Sequence, residues 1–458
     1  MTFANPLTAL LRWCLAADAP APTWSEAERL DYQQRHLRHN FAVNMIEGSA
    51  WWMGMSFASA ATVIPLFISK LTDNPLPLGL VAGLNSAGWL LPQLFTANLV
   101  ERLPHKKAIV TRLGLFSERI PAALWPAVAG LALGSPTLAL VLFLTCYGWH
   151  TLGSGLIATG WQDMLANCFP ETVRGRLLGL MVFIGSGIGL AFAPLCARLL
   201  ESRPFPSNFM VCFALCATGV MISEIVLCFT REPVDPVIKD HQSHGEFARE
   251  LPLLLRADHD LRNFVLARLL GVVGGMSLGF VTVYAVKQWH LPDASAAWFT
   301  RWLMAGQMLG NLTFGALADR FGHKISLQIG WLASTVGFTL ALCAPSPSWF
   351  NAVFFLMGIT AGANFVSGVL MVMELAVPER RATYTGLVNT TLGLASLVSP
   401  MIGAGLAGLG YHLLFGVSVV AYFAAALVLT RGVTDPRHGR NAPGLRQQER
   451  PVETGGEA

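Results

Sequence analysis

Ionisable side chains set inside long apolar runs are the residues of this sequence best suited to chemistry. Glu47 lies in such a run, with Trp51 four positions later and Trp52 beside it. Residues four apart share one face of a helix, and a carboxyl group held among apolar side chains favours its protonated form. We therefore expect a reversible proton site at Glu47, or, as the alternative, a structural ion pair between Glu47 and Arg119.

Three arginines also lie within apolar runs. Arg119 directly follows Glu118, and Arg268 and Arg301 are its counterparts later in the chain. A buried guanidinium can bind an anionic group through two parallel hydrogen bonds, although charges inside a membrane commonly pair with one another. Adjacent helical residues point about 100° apart, so we expect Glu118 and Arg119 to pair with other helices instead of forming a dyad.

Uncharged polar residues in the same runs offer further contacts. His150 could relay protons, or it could be a hydrogen-bonded spacer. Amide side chains could line a cavity, or they could form hydrogen bonds between helices. Trp51 and Trp52 lie deep enough in their run to stack on a solute. The amide residues that we single out as cavity candidates are Gln93, Asn364 and Asn389.

The composition requires that most of the chain faces lipid. Only 13% of the 458 residues are charged and 53% are hydrophobic, whereas about a quarter of a soluble domain is charged. The sequence contains no nucleotide-binding loop or nucleophile triad, and its eight cysteines form no metal-ligand spacing. It therefore argues against an enzyme, and we expect no catalytic residue, metal site, cofactor or nucleic-acid partner.

Twelve apolar runs are long enough to cross a bilayer, which requires about twenty residues each. Basic residues favour one side of these runs by roughly six to one, which by the positive-inside rule places both termini in the cytoplasm. We expect an all-α, multi-pass protein of the inner membrane. The predicted spans are roughly 41–68, 78–100, 108–133, 137–160, 177–200, 207–229, 263–286, 294–317, 323–344, 349–375, 382–408 and 411–431.

The twelve spans divide into two halves of six that share short patterns. These patterns recur in the same order at offsets of about 206 to 224 residues, as internal repeats of transporters do. Before the first span, Ser25 and Glu28 have the spacing of a capping box. The predicted segments are a cytoplasmic N-terminal segment (1–40), an N-terminal bundle (41–230), a cytoplasmic central loop (231–262), a C-terminal bundle (263–432) and a disordered cytoplasmic tail (433–458).

A charged loop pattern lies between two spans of the second half. It consists of Gly315, three residues, Asp319 and Arg320, one residue, Gly322, and a basic pair that ends at Lys324. The pattern resembles the loop signature of the major facilitator superfamily, which lies on the cytoplasmic side between the second and third helices of each six-helix half. A weaker copy over residues 97–107 contains Glu101, Arg102 and Lys106.

The resemblance implies a fold of twelve transmembrane helices in two six-helix pseudo-repeats. In the family, the acidic residue of the loop holds the two halves together on the cytoplasmic side when the cavity faces out. The alternative is that the basic residues only determine topology. The residues that the resemblance marks as gating are Glu101, Arg102, Lys106, Arg174, Gly315, Asp319, Arg320, Gly322, Lys324, Arg380 and Arg381.

The resemblance also implies secondary active transport by alternating access. Residues 185–197 resemble a weakened form of the small-residue and Gly-Pro motif of family exporters. We therefore expect proton-coupled export of a small organic solute by a monomer, with the solute, protons and the lipid bilayer as partners. The alternatives are uptake of a sugar or an organic anion, with Arg119 or Arg301 as the binding residue, and a non-transporting receptor or assembly factor of the same fold.

Overall fold

The protein is described here from a computed structural model, which covers residues 13–14, 24–100, 103, 105–234, 255–256, 258–375 and 381–434. These residues are almost all helical and contain no strand. Helices of the N-terminal half are α1 (Glu26–Phe57), α2 (Val63–Leu71), α3 (Leu76–Leu90), α4 (Gln93–Val100), α5 (Ile120–Gly130), α6 (Pro136–Cys168), α7 (Glu171–Ser202) and α8 (Ser207–Leu227). Those of the C-terminal half are α9 (His259–Gly274), α10 (Leu278–Trp289), α11 (Ser295–Phe321), α12 (His323–Cys343), α13 (Trp349–Leu375), α14 (Arg381–Leu409) and α15 (Tyr411–Gly432).

Eight helical segments of the described residues are long and apolar enough to cross a membrane. They correspond to eight of the predicted spans, and the other four predicted spans fall on helices that are broken or more polar. Two short π-helices, Ile109–Leu113 and Leu115–Arg119, precede α5. The residues around Gly275 join α9 to α10 through one 3-10 turn. The predicted all-α membrane fold is thus confirmed.

Prolines explain two breaks that the predicted spans did not contain. The first predicted span separates into α1 and α2, and Pro65 lies in the first turn of α2. A proline has no N–H to donate to the carbonyl four residues earlier. Ala61, whose carbonyl is released in this way, accepts a hydrogen bond at 2.9 Å from the hydroxyl of Thr282 in the other half. Pro92, which also has no N–H to donate, lies between the end of α3 and the start of α4.

The first helix begins where the sequence predicts. The Ser25 side chain accepts a hydrogen bond from the backbone N–H of Glu28, and the Glu28 carboxylate accepts one from the Ser25 backbone N–H at 2.7 Å. Both donors would otherwise lack a partner at the helix start. The predicted capping box is confirmed.

Each half packs around central helices, and the halves meet along two seams. In the N-terminal half α1 lies between α7 and α8, while in the C-terminal half α13 lies between α11 and α12. The two seams are α3 against α14 and α7 against α11. We call the side that carries the start of α1 and the end of α15 the terminal face. The side that carries the loops 72–75 and 290–294 is the distal face.

Candidate functional site

The interior of the N-terminal half contains a cluster of three carboxyl groups around one arginine. Arg119 forms a close ion pair with Glu118 and a second one, at 3.2 Å, with Glu224 of α8. Glu47 of α1 lies within electrostatic reach of Arg119, and its Oε1 accepts a hydrogen bond from Ser223 at 3.0 Å. These residues are at most 5% exposed. Three helical segments therefore bring four ionisable groups together away from water.

The adjacent residues Glu118 and Arg119 contact each other, which the sequence analysis did not expect. They lie in the π-helix Leu115–Arg119, where each turn holds more residues than an α-turn and the side chains are spread differently. Arg119 also pairs with Glu224 of another helix, as expected. The pairing of Arg119 with another helix is as expected, and its contact with the neighbouring Glu118 is additional to that pairing. Wide turns of this kind are often found at functional sites.

Two other candidates join the cluster through Glu118. The indole Nε1 of Trp51 donates a hydrogen bond to Oε1 of Glu118 at 3.1 Å. His150 of α6 is buried, and its Nδ1 lies 2.9 Å from the backbone carbonyl of Glu118. Trp52 instead extends toward the C-terminal half, where its ring meets Phe365 of α13 edge-on at 6.4 Å. The sequence-predicted residues Glu47, Trp51, Arg119 and His150 therefore lie at one site.

Glycines allow the helices to approach closely enough to enclose this cluster. A Cβ on Gly153 of α6 would lie 1.9 Å from the carbonyl oxygen of Ser117. A Cβ on Gly219 of α8 would lie 2.7 Å from the Cα of Gly54 in α1. Real Cβ contacts are never this short, so any larger residue would push the helices apart. The cluster therefore depends on these two close approaches as much as on its charges.

The remaining cavity candidates lie elsewhere. The side-chain amide of Gln93 donates to the carbonyl of Trp89 in the preceding turn. Arg301 is exposed, and its guanidinium lies 5.5 Å from the ring centre of Trp298. Asn364 accepts a hydrogen bond from Arg268 in the C-terminal half. Asn389 of α14 is half-buried. Within the described residues, none of these four forms a hydrogen bond or an ion pair with the Arg119 cluster.

Basic residues of the terminal face cap helix ends. Lys324 Nζ donates to the carbonyls of Thr430 and Val433 at 3.1 and 2.7 Å, which ties the start of α12 to the end of α15. Arg174 donates to the carbonyls of Phe169 and Ala166 at 2.8 Å. Helix C-termini attract cations because their last carbonyls lack backbone donors. The predicted topology determinants thus also join helices within each half.

The upstream loop uses a carboxylate for a similar purpose. Glu232 accepts hydrogen bonds from the backbone N–H groups of Lys106 and Lys107 at 3.0 and 2.7 Å. Burial raises the pKa of Glu232, while these hydrogen bonds oppose the shift. The ammonium group of Lys107 also donates to carbonyls at the end of α8. Both halves therefore fasten their third span to their sixth with lysine.

Two glycines of the loop pattern behave differently. Gly322 has φ 93°, in the left-handed region that favours glycine, and it forms the turn between α11 and α12. Gly315 has open space where a Cβ would be, so no close helix approach requires it in this conformation. His323, which precedes Lys324, approaches Ser367 and Glu374 of α13. Arg320 is exposed beside Phe321.

Some predicted gating residues cannot be compared with the structure. Glu101, Arg102 and Arg380 lie outside the described residues, as do most of the segments 1–40, 231–262 and 433–458. Asp319 and Arg381 lie in described helices, but their side chains fall outside the described part. Their gate roles and the segment boundaries stay predictions.

The distal face carries a pair of ion pairs that sequence analysis missed. Lys70 Nζ lies 2.7 Å from Asp293, and Lys287 Nζ lies 2.7 Å from Asp73. Each half supplies one lysine at a helix end and one aspartate in the next loop, with offsets of about 217 and 220 residues between copies. The hydrogen bond and charge of Lys287 hold the pKa of Asp73 below its ordinary value. The sequence feature that could have predicted these ion pairs is the Lys-to-Asp spacing, which occurs in both halves.

Hydrogen bonds also join the two halves at the distal face. Thr62 and Thr300 share a hydroxyl–hydroxyl hydrogen bond of 2.5 Å, and both side chains are buried. Asn208 donates to Asp293 at 3.4 Å. Where both partners are described, the hydrogen bonds and ion pairs between the halves gather at this face. The distal face is therefore the closed side of this conformation.

Comparisons with known proteins agree with this architecture. The family model described as "Major Facilitator Superfamily" matches residues 264–455. The niacin transporter NiaP of Acinetobacter baylyi is 28% identical over 125 residues, which cover 27% of this chain and 28% of that protein. Multidrug resistance protein 3 of Bacillus subtilis is 28% identical over 126 residues, 27% of this chain and 24% of that protein. The chain thus spans about a quarter of the length of these two relatives.

A solved structure matches over a longer part of the chain. The crystal structure of the peptide transporter POT in complex with sulfate has a TM-score of 0.64 at 14% identity, and the match covers 87% of this chain and 95% of that one. A likeness at this identity concerns the fold, and the fold is the one that the loop pattern predicts. The family match identifies residues 264–455 as similar to the major facilitator superfamily, and the likeness in fold extends over both halves of the chain.

Proposed function

We propose that this protein is a secondary active transporter that moves a small organic solute across the membrane in exchange for protons. The observation that carries the proposal is the buried cluster of Glu47, Glu118, Glu224 and Arg119. Similarity to the transporter superfamily supports the coarser part, transport of a solute. The cluster supports the finer part, proton coupling.

The charges of the cluster do not balance without protons. Three ionised carboxylates against one guanidinium would leave two uncompensated negative charges in a site that water does not reach. An uncompensated buried ion costs several kcal/mol, and a carboxyl group avoids this cost by binding a proton. A cluster with more acids than bases therefore holds exchangeable protons inside the membrane.

Glu47 is the member of the cluster best suited to exchange its proton. It makes no ion pair shorter than 4 Å within the described residues, and its Oε2 is buried without a hydrogen-bond partner there. Glu118 and Glu224, in contrast, both contact Arg119 directly. We infer that Glu47 is the member of the cluster that exchanges its proton during transport.

Alternating access supplies the second half of the mechanism. Superfamily transporters move by rocking one half against the other around a central site. The closed distal face, with its interhalf bonds, is the outer side in our proposal, and the terminal face is cytoplasmic in the inner membrane. Opening the distal face would bring water to Glu47 from the other side, where it would release or take up a proton. A monomer suffices for this cycle.

We propose export as the direction of transport. The small residues of α7 that resemble an exporter motif pack against α1 and α11: a Cβ on Gly185 would lie 2.5 Å from Cβ of Trp52, and one on Gly189 would lie 3.0 Å from Sδ of Met304. Similarity to a protein named for multidrug resistance agrees with export. Uptake of a sugar or an organic anion, and a non-transporting receptor, stay the alternatives.

Proton flux in proteoliposomes tests the proposal. Wild-type protein is reconstituted with an internal pH-sensitive dye, and a panel of small organic solutes is added without a preset gradient. We expect at least one solute to cause proton movement, and we expect Glu47→Gln to abolish that movement while solute exchange between the two sides continues. Glu201→Gln, at an exposed glutamate near the end of α7, is the matched control and should behave as wild type.

Two results would contradict the proposal. Solute-induced proton movement that persists unchanged in Glu47→Gln would remove Glu47 from coupling. A second result is that no solute gives gradient-driven flux although a thermal unfolding transition shows that the protein is folded. That result would favour the receptor or assembly-factor alternative.

A further inference from the structure

The C-terminal half contains a half-buried arginine, Arg268, to which the described residues supply no carboxylate partner. Arg268 of α9 lies within the helix bundle, and no aspartate or glutamate of the described residues forms an ion pair with it. Its Nε is buried and has no hydrogen-bond partner in the described part of the chain. Among the described residues, the ionisable side chain near Arg268 is Tyr422, which is neutral at physiological pH. An arginine inside a membrane is costly unless something compensates its charge.

The contrast with Arg119 shows that this absence is unusual in the molecule. Arg119 has Glu118 and Glu224 in contact and Glu47 nearby. Arg268 has instead one neutral hydrogen-bond acceptor, Oδ1 of Asn364 in α13, at 3.0 Å from Nη1. The N-terminal half therefore has an excess of buried acids, whereas the described residues of the C-terminal half supply no acid to Arg268.

Asn364 is oriented so that it adds a second donor. Its Oδ1 accepts from Arg268 and also from Nε1 of Trp331 at 3.3 Å. With the carbonyl oxygen held by two donors, the Nδ2 group is left to donate, and no hydrogen bond joins it to another described residue. The guanidinium of Arg268 and the amide group of Asn364 thus lie side by side, and the described residues supply no further acceptor for their remaining N–H groups.

The surroundings of Arg268 are shaped to hold a guanidinium and an apolar group. Gly368 of α13 faces it, and a Cβ there would lie 2.6 Å from Nη1, so a larger residue would require the guanidinium to shift. Trp331 is 1% exposed and fixes the position of Asn364. Phe365, the residue after Asn364, is exposed and meets Trp52 from the other half. The helix that supplies Asn364 thus also contacts the other half.

We propose that Arg268 and Asn364 form the binding site for the carboxylate group of the transported solute, which is a small organic monoanion. This rests on the proposed transport function and names its substrate class. A carboxylate has two oxygens that fit the parallel N–H groups of a guanidinium. One negative charge compensates the single charge of Arg268, whereas a dianion would leave a net buried charge and a neutral solute would leave the arginine unpaired.

Ligand-induced thermal stabilisation of the purified full-length protein tests this site. The probes are sodium benzoate and sodium acetate, compared with benzamide and acetamide and with sodium chloride at equal ionic strength. Each amide keeps the shape of its carboxylate and lacks the charge. We expect at least one carboxylate to raise the thermal midpoint by about 3 °C near saturation, and the amides and chloride to have no such effect.

Two substitutions and one control locate the effect. Arg268→Gln should abolish the rise, and so should Asn364→Asp, which supplies an internal carboxylate to Arg268. Asn364→Asp should also raise the midpoint of the protein without ligand, so a variant that folds well is available even if Arg268→Gln does not fold. Arg262→Gln, at an exposed arginine of the same helix, should keep the wild-type response.

The inference is overturned if no carboxylate stabilises the wild type more than its amide does, or if the stabilisation persists in both Arg268→Gln and Asn364→Asp. The assay uses no gradient, so its outcome is independent of coupling. Carboxylate binding without proton movement would refute the proposed exchange and leave this site standing. Proton movement driven by neutral solutes, without carboxylate binding, would refute this site and leave the proposed exchange standing.

Discussion

A buried hydroxyl pair at the distal face offers a test of whether the interhalf contacts control the conformational equilibrium. Thr62 and Thr300 are 0% and 4% exposed, and their hydroxyl oxygens are 2.5 Å apart. Thr300 donates its own hydrogen to the carbonyl of Ala296 at 2.8 Å. The hydrogen between the threonines must therefore come from Thr62, and Thr300 is its acceptor.

This direction predicts unequal effects of two isosteric substitutions. Thr300→Val leaves the Thr62 hydroxyl buried with no acceptor, at a cost of about 1–3 kcal/mol in the closed conformation. In a conformation open at the distal face, water satisfies that hydroxyl and the cost disappears. The equilibrium should therefore shift toward the open conformation by about 5-fold to 150-fold. Thr62→Val removes the donor and leaves Thr300 satisfied by its own helix, so its shift should be smaller.

The assay is the labelling rate of a cysteine by a membrane-impermeant maleimide. Ala297→Cys is a suitable reporter, because Ala297 is 1% exposed and lies in the turn of α11 before Thr300. The exposed cysteines Cys228 and Cys343 are replaced by serine in every variant. Thr339→Val is the control, since this exposed threonine bonds only to the carbonyl of its own helix at 2.8 Å.

The order of the rates decides the outcome. Thr300→Val should label fastest, and the double variant Thr62→Val with Thr300→Val should fall back toward Thr62→Val, because no unpaired hydroxyl remains. Equal rates in all variants, or a double variant that labels faster than Thr300→Val, would refute the assignment of the distal contacts as the bonds that hold this face closed.

Three further outcomes are expected. Asp293→Asn weakens the ion pair with Lys70, and since partly exposed pairs contribute about 0.2–1 kcal/mol, the same labelling assay should show an increase of up to about 5-fold. Gly322→Ala places a Cβ at φ 93°, which should cost roughly 1 kcal/mol or more and lower the thermal midpoint; an unchanged midpoint would contradict the strained turn. Burial raises the pKa of Glu232, so the folded protein binds the proton of this carboxyl group more tightly than the unfolded chain does. The resulting gain in the free energy of unfolding is present below the ordinary pKa of a glutamate and is lost as pH rises through the raised value. Glu232→Gln should flatten the dependence of the thermal midpoint on pH in that interval, and an unaltered profile would count against this role.

The helices and their order could be predicted because lipid imposes a simple rule. Every backbone polar group within the bilayer must be satisfied inside its own helix, so long apolar runs can hardly form anything else. The breaks were harder to predict, since a proline in a membrane helix is tolerated when another group takes the released carbonyl. At Pro65 that group is Thr282, more than two hundred residues away, and no local pattern contains this information.

The candidate site shows the same division between local and distant information. Glu47, Arg119 and His150 could be selected individually, because polar residues inside apolar runs are rare and costly. Which of them pair could not be predicted, since Ser223 and Glu224 reach the cluster only through the packing of α8 against α1 and α5. The loop pattern predicted a gate at the terminal face, whereas the described ties between the halves lie at the distal face.

The unequal charges of the two halves give the proposed cycle a physical requirement. The N-terminal cluster has two more acids than bases, whereas in the C-terminal half the described residues supply no acid to Arg268. Rocking the halves past each other moves both sites through surroundings that solvate charge poorly, where uncompensated ions cost several kcal/mol. Protons at Glu47 remove negative charge from the first site, and a monoanion at Arg268 removes positive charge from the second. If this reasoning holds, the empty and deprotonated protein should change conformation slowest, and a carboxylate together with low pH should accelerate the exchange more than either alone.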